Sequence, residues 1–297
     1  MSFPLIAKTV AGLEDVLSSE LESLGATGIM KLNRAVSFTA DKALMYRVNY
    51  ACRTALRFLK PIFHFEIREQ KDLYDQISGY AWEDILDAGT TFAVDAVISY
   101  TVFTNSQYVA QRTKDAIVDR LRDKTGKRPS VNLDNPDLRI NVHLFKDACT
   151  VALDSSGESL HRRGYRRKTG LAPISEVLAA GLLGISGWDP SIPLFDPMCG
   201  SGTILIEAAM LAKNIPAGSY RSEWGFMRWN DFDRDLWEKV RGECQAAISD
   251  KPVRIYGSDR SDRAITAAME NIQFTGLGDS ITVAAGRFED SLPPFEN

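Results

Sequence analysis

The segment Asp196-Pro197-Met198-Cys199-Gly200-Ser201-Gly202-Thr203 follows the apolar run Ile192-Pro193-Leu194-Phe195 and leads into the helical pattern Ile204 to Ala212. A strand, a glycine loop and a helix in that order make a ligand site. The glycines let the backbone approach a small molecule, the helix N-terminus offers unpaired N–H groups, and an acid stands at the carboxyl end of the strand. No Gly-Lys-Ser/Thr follows, and the Gly-x-Gly-x-x-Gly spacing is not met, so the loop is not a phosphate cradle. A carboxylate repels pyrophosphate and suits a cationic ligand.

A second strand pattern, Val253 to Asp259, also ends in an acid, and Ser261-Asp262-Arg263-Ala264-Ile265 opens another helix after it. An acid at the tip of the next parallel strand is placed to hold a ribose diol. S-adenosylmethionine matches both acids, since it carries an ammonium group and a sulfonium beside a nucleoside. The gap from Gly202 to Asp259 is far longer than the roughly 20 residues of a nicotinamide site, so an insertion lies between them. Residues Ala217 to Trp237 supply it, with Tyr220, Trp224, Phe226, Trp229, Phe232 and Trp237 spread along a polar segment. These aromatics are expected to cover the sheet edge as core rather than to stack on bases. A third strand, Ser280 to Ala285, ends at Gly286-Arg287-Phe288-Glu289-Asp290, where an adenine edge would sit. Cys199 has no histidine near it in sequence, and a small residue suits a tight loop, which argues against a thiol nucleophile.

A chain of 297 residues with 44% hydrophobic content can bury a substantial core and is expected to hold about two domains. Cys52, Cys149, Cys199 and Cys244 are scattered without a CxxC pair, which argues against zinc and a disulfide framework and favours the cytosol. No run approaches the roughly 18 apolar residues of a membrane span, and Met1 to Lys8 lacks a basic leader region. The expectation is a cytoplasmic protein with no resident metal and no membrane partner.

The N-terminal half is organised differently. Phe3–Thr9, Leu13–Leu24, Gly28–Leu32, Ala35–Phe38, Lys42–Val48 and Ala55–Phe65 read as β-α-β-β-α-β and resemble a ferredoxin-like unit. Beyond it, Asp72–Leu86 reads as helix, Thr91–Ser99 as strand, Gln107–Lys124 as helix, and Leu138–Phe145 with Ala148–Leu153 as paired strands. The net charge is −4, so the chain is not a general polyanion binder. Positive charge is local. Arg112, Lys114, Arg120, Arg122, Lys124, Lys127 and Arg128 share one stretch with Asp115, Asp119 and Asp123, and Arg162, Arg163, Arg166, Arg167 and Lys168 form a run without acids. Such patches supply phosphate contacts without reading sequence. Arg112, Arg120, Lys124, Arg162, Arg163, Arg166 and Arg167 are the expected RNA-binding residues; a solvated helix face accounts equally well for residues 112 to 128. His64 and His143 lie on strand patterns and read as structural.

With these motifs in view, residues 165 to 297 resemble the start of a class I S-adenosylmethionine-dependent methyltransferase, a Rossmann-like α/β fold. The loop at 196 to 203, with Glu207 four residues on, resembles that of THUMP-containing RNA guanine-N2 methyltransferases acting on large-subunit ribosomal RNA, whose relatives are often labelled N6-adenine-specific DNA methylases. The segments Leu138 to Leu144 and Asp154 to Arg166 resemble a THUMP RNA-binding domain and its junction. The resemblance implies a ferredoxin-like domain at 1–65, a THUMP domain at 66–160 and a methyltransferase domain at 161–297. It places Asp196, Met198, Gly200, Ser201, Gly202 and Thr203 around the methionine part of the cofactor, Asp259 and Arg260 at the ribose, and Lys168 to Glu176, including Ala172 and Pro173, over the cofactor. Arg287 stands where the family has an acid touching the adenine amine, so Phe288 is expected to pack on the ring instead. The family's Asn/Asp-Pro-Pro-Tyr loop, which fixes the target amine, would lie beyond Asn297. Leu292-Pro293-Pro294-Phe295 follows the third strand and lacks the amide or acid. The chain is therefore expected to be an incomplete catalytic domain whose catalytic loop is not among residues 1 to 297. The competing readings are an N6-adenine DNA methylase and an RNA- and cofactor-binding module without catalysis.

Overall fold

Strand β4 (Arg57–Glu66) joins the two parts of the N-terminal half into one sheet. In this computed structural model, which describes residues 2–87, 89–168 and 173–290, β1 (Phe3–Lys8), α1 (Glu14–Ser23), β2 (Thr27–Leu32), β3 (Ala35–Ala40) and α2 (Lys42–Ala51) precede it. The β-α-β-β-α-β order expected from the sequence is observed. After β4 come α3 (Gln70–Gly79), β5 (Thr91–Ser99), α4 (Ser106–Thr125), β6 (Ser130–Val131), β7 (Leu138–Phe145) and β8 (Ala148–Asp154). The sheet runs β2-β3-β1-β4-β8-β7-β5-β6, with β1 antiparallel to β4 through Ile6↔Leu59 and β4 antiparallel to β8 through Leu59↔Asp154. Pro61 has no N–H to give a ladder, and the register shifts between Pro61 and Phe63, where a bulge accommodates it.

Helix starts follow capping chemistry. Asp41 accepts from Leu44 N at the start of α2, and Asn105 accepts from Gln107 N and Tyr108 N at the start of α4. The helix expected over Asp72–Leu86 is shorter. Helix α3 stops at Gly79, Tyr80 is extended (ψ 145), and a 3₁₀ turn over Trp82–Asp84 follows, held by the Trp82 indole N–H on Ile77 O at 2.7 Å. Burying Trp82 in the sheet core overrides the helical pattern.

The C-terminal part contains α5 (Glu176–Ser186), β9 (Leu194–Asp196), α6 (Thr203–Ala212), α7 (Arg234–Ala246), β10 (Ile255–Asp259), α8 (Asp262–Thr275) and β11 (Ile281–Ala285). The three strands are parallel in the order β11-β10-β9, with Gly257 opposite Asp196 and Asp259 opposite Ala285. Helix α5 lies against α1 at close range: a Cβ on Gly181 would sit 2.5 Å from Leu13 Cδ1, and one on Gly184 would sit 2.6 Å from Val16 Cγ1.

Tyr220 packs against the core beneath the three-stranded sheet, but most of the inserted aromatics are core of the N-terminal half rather than of the sheet edge they were expected to cover. Trp224, Phe226, Trp229 and Trp237 belong to the hydrophobic core of the N-terminal half. Trp237 meets Tyr46 at 6.1 Å and Tyr50 at 5.5 Å between ring centroids, both residues of α2, and Phe226 meets Tyr46 at 4.4 Å. The insertion reaches back across the molecule to pack on the aromatic side chains of α2. A separate, smaller core beneath the three-stranded sheet contains Leu205, Ile206, Ile255, Ala268 and Ile272.

Candidate functional site

The carboxyl ends of β9 and β10 bring Asp196 and Asp259 to one edge, as the sequence pattern suggested. Asp196 Oδ1 accepts from Met198 N at 3.0 Å, which turns the loop, and Cys199 N donates to Ser258 O at 2.9 Å, which stitches the loop to β10. Asp259 Oδ2 accepts from Gly200 N at 3.0 Å, and its Oδ1 accepts from Ser261 N at 2.9 Å. Each acid therefore uses some of its lone pairs on backbone and retains others. Gly200 is left-handed at φ 55 and faces open space, while Gly202, at φ 81, packs on Ala268 and caps α6 without any side-chain cap. The loop thus presents bare backbone and a helix N-terminus to a ligand.

Burial raises the Asp196 carboxyl above the usual aspartate range, and the charge of Asp259 adds to the shift against the Met198 N–H that lowers it. No basic side chain pairs with Asp196 or Asp259 among the described residues. Two neighbouring carboxylates without a cation fit a ligand that brings a positive charge and hydroxyl donors. Cys199 is held far from thiolate: burial, then Asp196 and Asp259, push it up to about 12. Met198, 68% exposed, and Phe288 are available at the rim, and Arg260 and Pro173 are exposed. Ala172 and the segment Leu292 to Phe295 lie outside the described residues. Thr203 is buried, and its hydroxyl accepts from Arg166 Nη2 at 3.1 Å. Ser201 is buried, and its carbonyl accepts from Asn271 Nδ2 at 3.1 Å.

The basic run at 162 to 168 is expected to meet phosphates, and its side chains also make contacts within the fold. Each cation finds an acid or ring within the fold. Arg162 pairs with Glu158 at 2.5 Å, Arg166 with Glu176 at 3.1 Å and Lys168 with Glu270 at 2.6 Å, while Arg167 lies 3.8 Å over the Phe274 ring. Arg163 is sealed inside against Glu207 and also donates to Leu160 O and Arg53 O. A guanidinium buried in that way cannot meet a phosphate, so Arg163 and the mostly buried Arg166 are structural. Arg120 is likewise committed, forming a fork on Glu83 at 2.6 and 3.1 Å. Arg112 lies over the Tyr74 ring at 4.1 Å, and Lys124 is exposed on α4.

Sequence reasoning missed the residues that hold the loop from behind. Asn271 accepts from Arg167 N and Lys168 N and donates to Lys168 O and Ser201 O, so one side chain clamps both the junction strap and the glycine loop. Its signal was a polar residue on the apolar stripe Ala264, Ala268, Ile272 of α8. Arg53 donates to Met210 O at 3.1 Å, in the last turn of α6, and to Ile215 O at 2.6 Å just beyond it.

A cleft of about 750 Å³ opens elsewhere, among the 134–137 loop, the junction and the insertion, lined by Arg57, Arg139, His161, Arg162, Arg221 and Arg228. None of residues 196 to 203 lines it. Its arginines are engaged: Arg57 with Asp154, Arg139 with Asp95, Arg162 with Glu158, Arg228 with Glu223, and Arg221 with carbonyls of Ser156, Glu158, Ser159 and Arg162. The two uncompensated acids at the glycine loop make that loop the better ligand site. Among the described residues no cluster of His, Cys, Asp or Glu is placed to hold a metal, and no helix is long and apolar enough to cross a membrane.

The parallel strands, the glycine loop and the paired strand-end acids define a methyltransferase-type nucleotide fold attached to an α+β N-terminal half. Residues 163–293 match the RMKL-like methyltransferase domain, residues 68–154 the THUMP domain and residues 4–59 the RlmL ferredoxin-like domain. SMU.472, assigned as a methyltransferase and crystallised with S-adenosylhomocysteine (SAH), is 31% identical with a TM-score of 0.89 over 100% of this chain and 78% of its own. A protein from Listeria monocytogenes, assigned as an N6-adenine-specific DNA methylase, gives the same identity, TM-score and coverage. TrmN from Thermus thermophilus, 20% identical over 96% of this chain and 73% of its own with a TM-score of 0.65, shares the fold. The chain belongs to the THUMP-domain-containing methyltransferases.

Proposed function

We propose that this protein is an S-adenosylmethionine-dependent methyltransferase that modifies the exocyclic N2 amine of a guanine in large-subunit ribosomal RNA. The observation that carries the reading is the pair Asp196 and Asp259, which no basic side chain among the described residues pairs with, flanking the open backbone at Gly200. The cofactor supplies a methyl group on a sulfonium. Asp196 would accept from its ammonium and Asp259 from its ribose hydroxyls, while Phe288 packs on the adenine and the N–H groups at the start of α6 face the methionine carboxylate. SMU.472, bound to SAH, supports that assignment. The exocyclic amine of guanine is a weak nucleophile because its lone pair is delocalised, so holding it in line with the methyl supplies most of the acceleration. A base within structured RNA must first be unstacked, at a cost of a few kcal/mol.

The THUMP segment favours RNA over DNA as the substrate, which sets this reading above the N6-adenine assignment given to the Listeria relative. Arg112, Lys124 and Arg162 remain placed to meet phosphates. The test is nucleoside mass spectrometry of large-subunit ribosomal RNA and of DNA from cells with and without the gene. Loss of one N2-methylguanosine, restored by the wild-type gene and not by an Asp196→Ala, Asp259→Ala variant, is expected. Intact N2-methylguanosine with loss of N6-methyladenine from DNA overturns the reading.

A further inference from the structure

One face of the eight-stranded sheet, at its THUMP end, carries aromatic side chains that packing leaves unused. Strand β7 alternates: Leu138, Ile140, Val142 and Leu144 are buried in the core, so Arg139, Asn141, His143 and Phe145 lie on the opposite face. The register with β5 sets Val97 beside His143 and Ser99 beside Phe145. Tyr100 follows directly, 87% exposed, with its ring edge-on to Phe145 at 6.1 Å. The Lys146 ammonium lies 5.6 Å from the centre of the Phe145 ring. Tyr100 and Lys146 both adopt a left-handed backbone, at φ 53 and φ 56, which is uncommon for side chains of that bulk. Lys146 N donates to Ser99 O at 3.0 Å and locks the two strand ends together. The Lys146 backbone belongs to the two-residue turn that joins β7 to β8, and Tyr100 turns the chain out at the end of β5, so both side chains stand clear of the sheet.

We propose that Tyr100, Phe145 and Lys146 form a base-stacking ledge for unpaired nucleotides of the RNA substrate. The inference rests on the reading of the protein as an RNA methyltransferase. Tyr100 and Phe145 present rings beside the exposed Val97, and a ring face accepts any base, as in other sheet-based RNA readers. Lys146 stands where a phosphate flanking a stacked base would pass. The ledge also lies within the segment that matches the THUMP domain. Addition of a protein strand is disfavoured, because Asp95, paired to Arg139 at 3.0 Å, places a charge on the part of β5 that β6 leaves uncovered.

The test is fluorescence anisotropy with an RNA hairpin carrying an eight-nucleotide unpaired loop, and with the same hairpin made abasic in the loop. Tyr100→Ala with Phe145→Ala is expected to weaken binding of the intact loop about 5- to 150-fold per stacked base. The abasic loop should already bind that much more weakly and lose nothing further in the variant. Tyr100→Phe should bind as wild type. Lys146→Ala should reduce the salt slope by about 0.7, while the double aromatic variant leaves the slope unchanged. Equal binding of the intact and abasic loops, or of the wild type and the double variant, overturns the ledge while leaving the RNA reading in place. Failure of the wild type to bind either hairpin or ribosomal RNA overturns both. Loss of self-association in the double variant, with RNA affinity unchanged, would assign the ledge to a second copy of the chain.

Discussion

Arg163 Nε and Glu207 Oε1 lie 3.4 Å apart with their side chains 1% and 0% exposed, one on the junction segment and the other in the middle of α6. Tyr165 OH also donates to Glu207 Oε1, at 3.1 Å, and Arg163 reaches back to Arg53 O. The helix that begins at the glycine loop is therefore gripped at three levels: by Arg166 at Thr203, by Arg163 and Tyr165 at Glu207, and by Arg53 in its last turn and just beyond it. The junction segment, with Arg53 of the N-terminal half, fixes the cofactor helix through buried charge rather than through a hydrophobic seam alone.

Removing one partner of this pair should be costly. Arg163→Met leaves Glu207 buried and charged, and is expected to destabilise the chain by about 3–5 kcal/mol. Urea unfolding followed by tryptophan fluorescence measures the change in midpoint. The double variant Arg163→Met, Glu207→Leu removes both charges and should recover a large part of the loss. A single-variant cost near zero would mean that water reaches the pair.

The strand-loop-helix pattern was legible because every element of it is local: Asp196, Gly200, Gly202 and Asp259 carry the backbone and charge requirements in their own residue types. Most partners of the basic run were not legible. Glu158 lies four residues from Arg162, but Glu207 is 44 residues from Arg163 and Glu270 is 102 residues from Lys168, so these two acids arrive only through tertiary packing. The same holds for the inserted aromatics, whose burial was foreseen but whose partners, Tyr46 and Tyr50, lie far upstream on α2.

Asp259→Ala should weaken cofactor binding by more than a ligand contact alone. It removes the acceptor for Gly200 N and Ser261 N and so loosens the loop as well as the proposed ribose contact. A loss of about 1.5–3 kcal/mol per charge-assisted bond corresponds to at least a tenfold rise in Kd. Isothermal titration with S-adenosylhomocysteine measures it, and unchanged affinity would remove Asp259 from the site.

Asp196 sets stability against binding. Its folded carboxyl titrates above the ordinary value of 3.8 because burial, aided by Asp259, disfavours the charge. The folded state therefore holds its proton more tightly than the unfolded chain does. The contribution to stability is fully present below 3.8 and is lost as pH rises through the folded value, leaving an ionised Asp196 unfavourable at neutral pH. Asp196→Asn is expected to raise the Tm of the ligand-free protein at pH 7 and to flatten its pH dependence above 3.8, while weakening cofactor binding. A Tm below that of the wild type, measured by calorimetry from pH 4 to 8, would contradict this.

Cys199 should be chemically inert in the folded protein. With its thiol pushed up to about 12 by burial and the two neighbouring acids, almost no thiolate exists at pH 8. Iodoacetamide treatment followed by peptide mass spectrometry should leave Cys199 unmodified in the native state and label it in urea. Cys199→Ser should keep cofactor affinity within a few-fold, since no role for the sulfur beyond filling the tight turn is indicated. Rapid native alkylation would show that the loop opens far more than its contacts to β10 suggest.

Trp237 decides whether the insertion stays attached to the N-terminal half. It is almost fully buried and its ring contacts Tyr46, Tyr50, Trp224 and Phe226, so it joins α7 to α2 and to the rest of the insertion at once. Truncation to alanine leaves a cavity that these rings cannot fill, at a cost of about 3–5 kcal/mol. The polar links around it are weaker: the ion pairs Arg47 to Glu243, at 2.7 Å, and Lys42 to Asp231, at 3.1 Å, are partly exposed and contribute about 0–1 kcal/mol each. Trp237→Ala should therefore free residues 217 to 246 to open locally while the glycine loop, whose core contains Leu205, Ile255 and Ile272, stays folded. Limited proteolysis should show new cleavage within 217–246, and hydrogen exchange should rise there and in α2 but not in β10. If exchange rose equally throughout the three-stranded sheet, the insertion would be part of a single cooperative unit rather than a separable clasp.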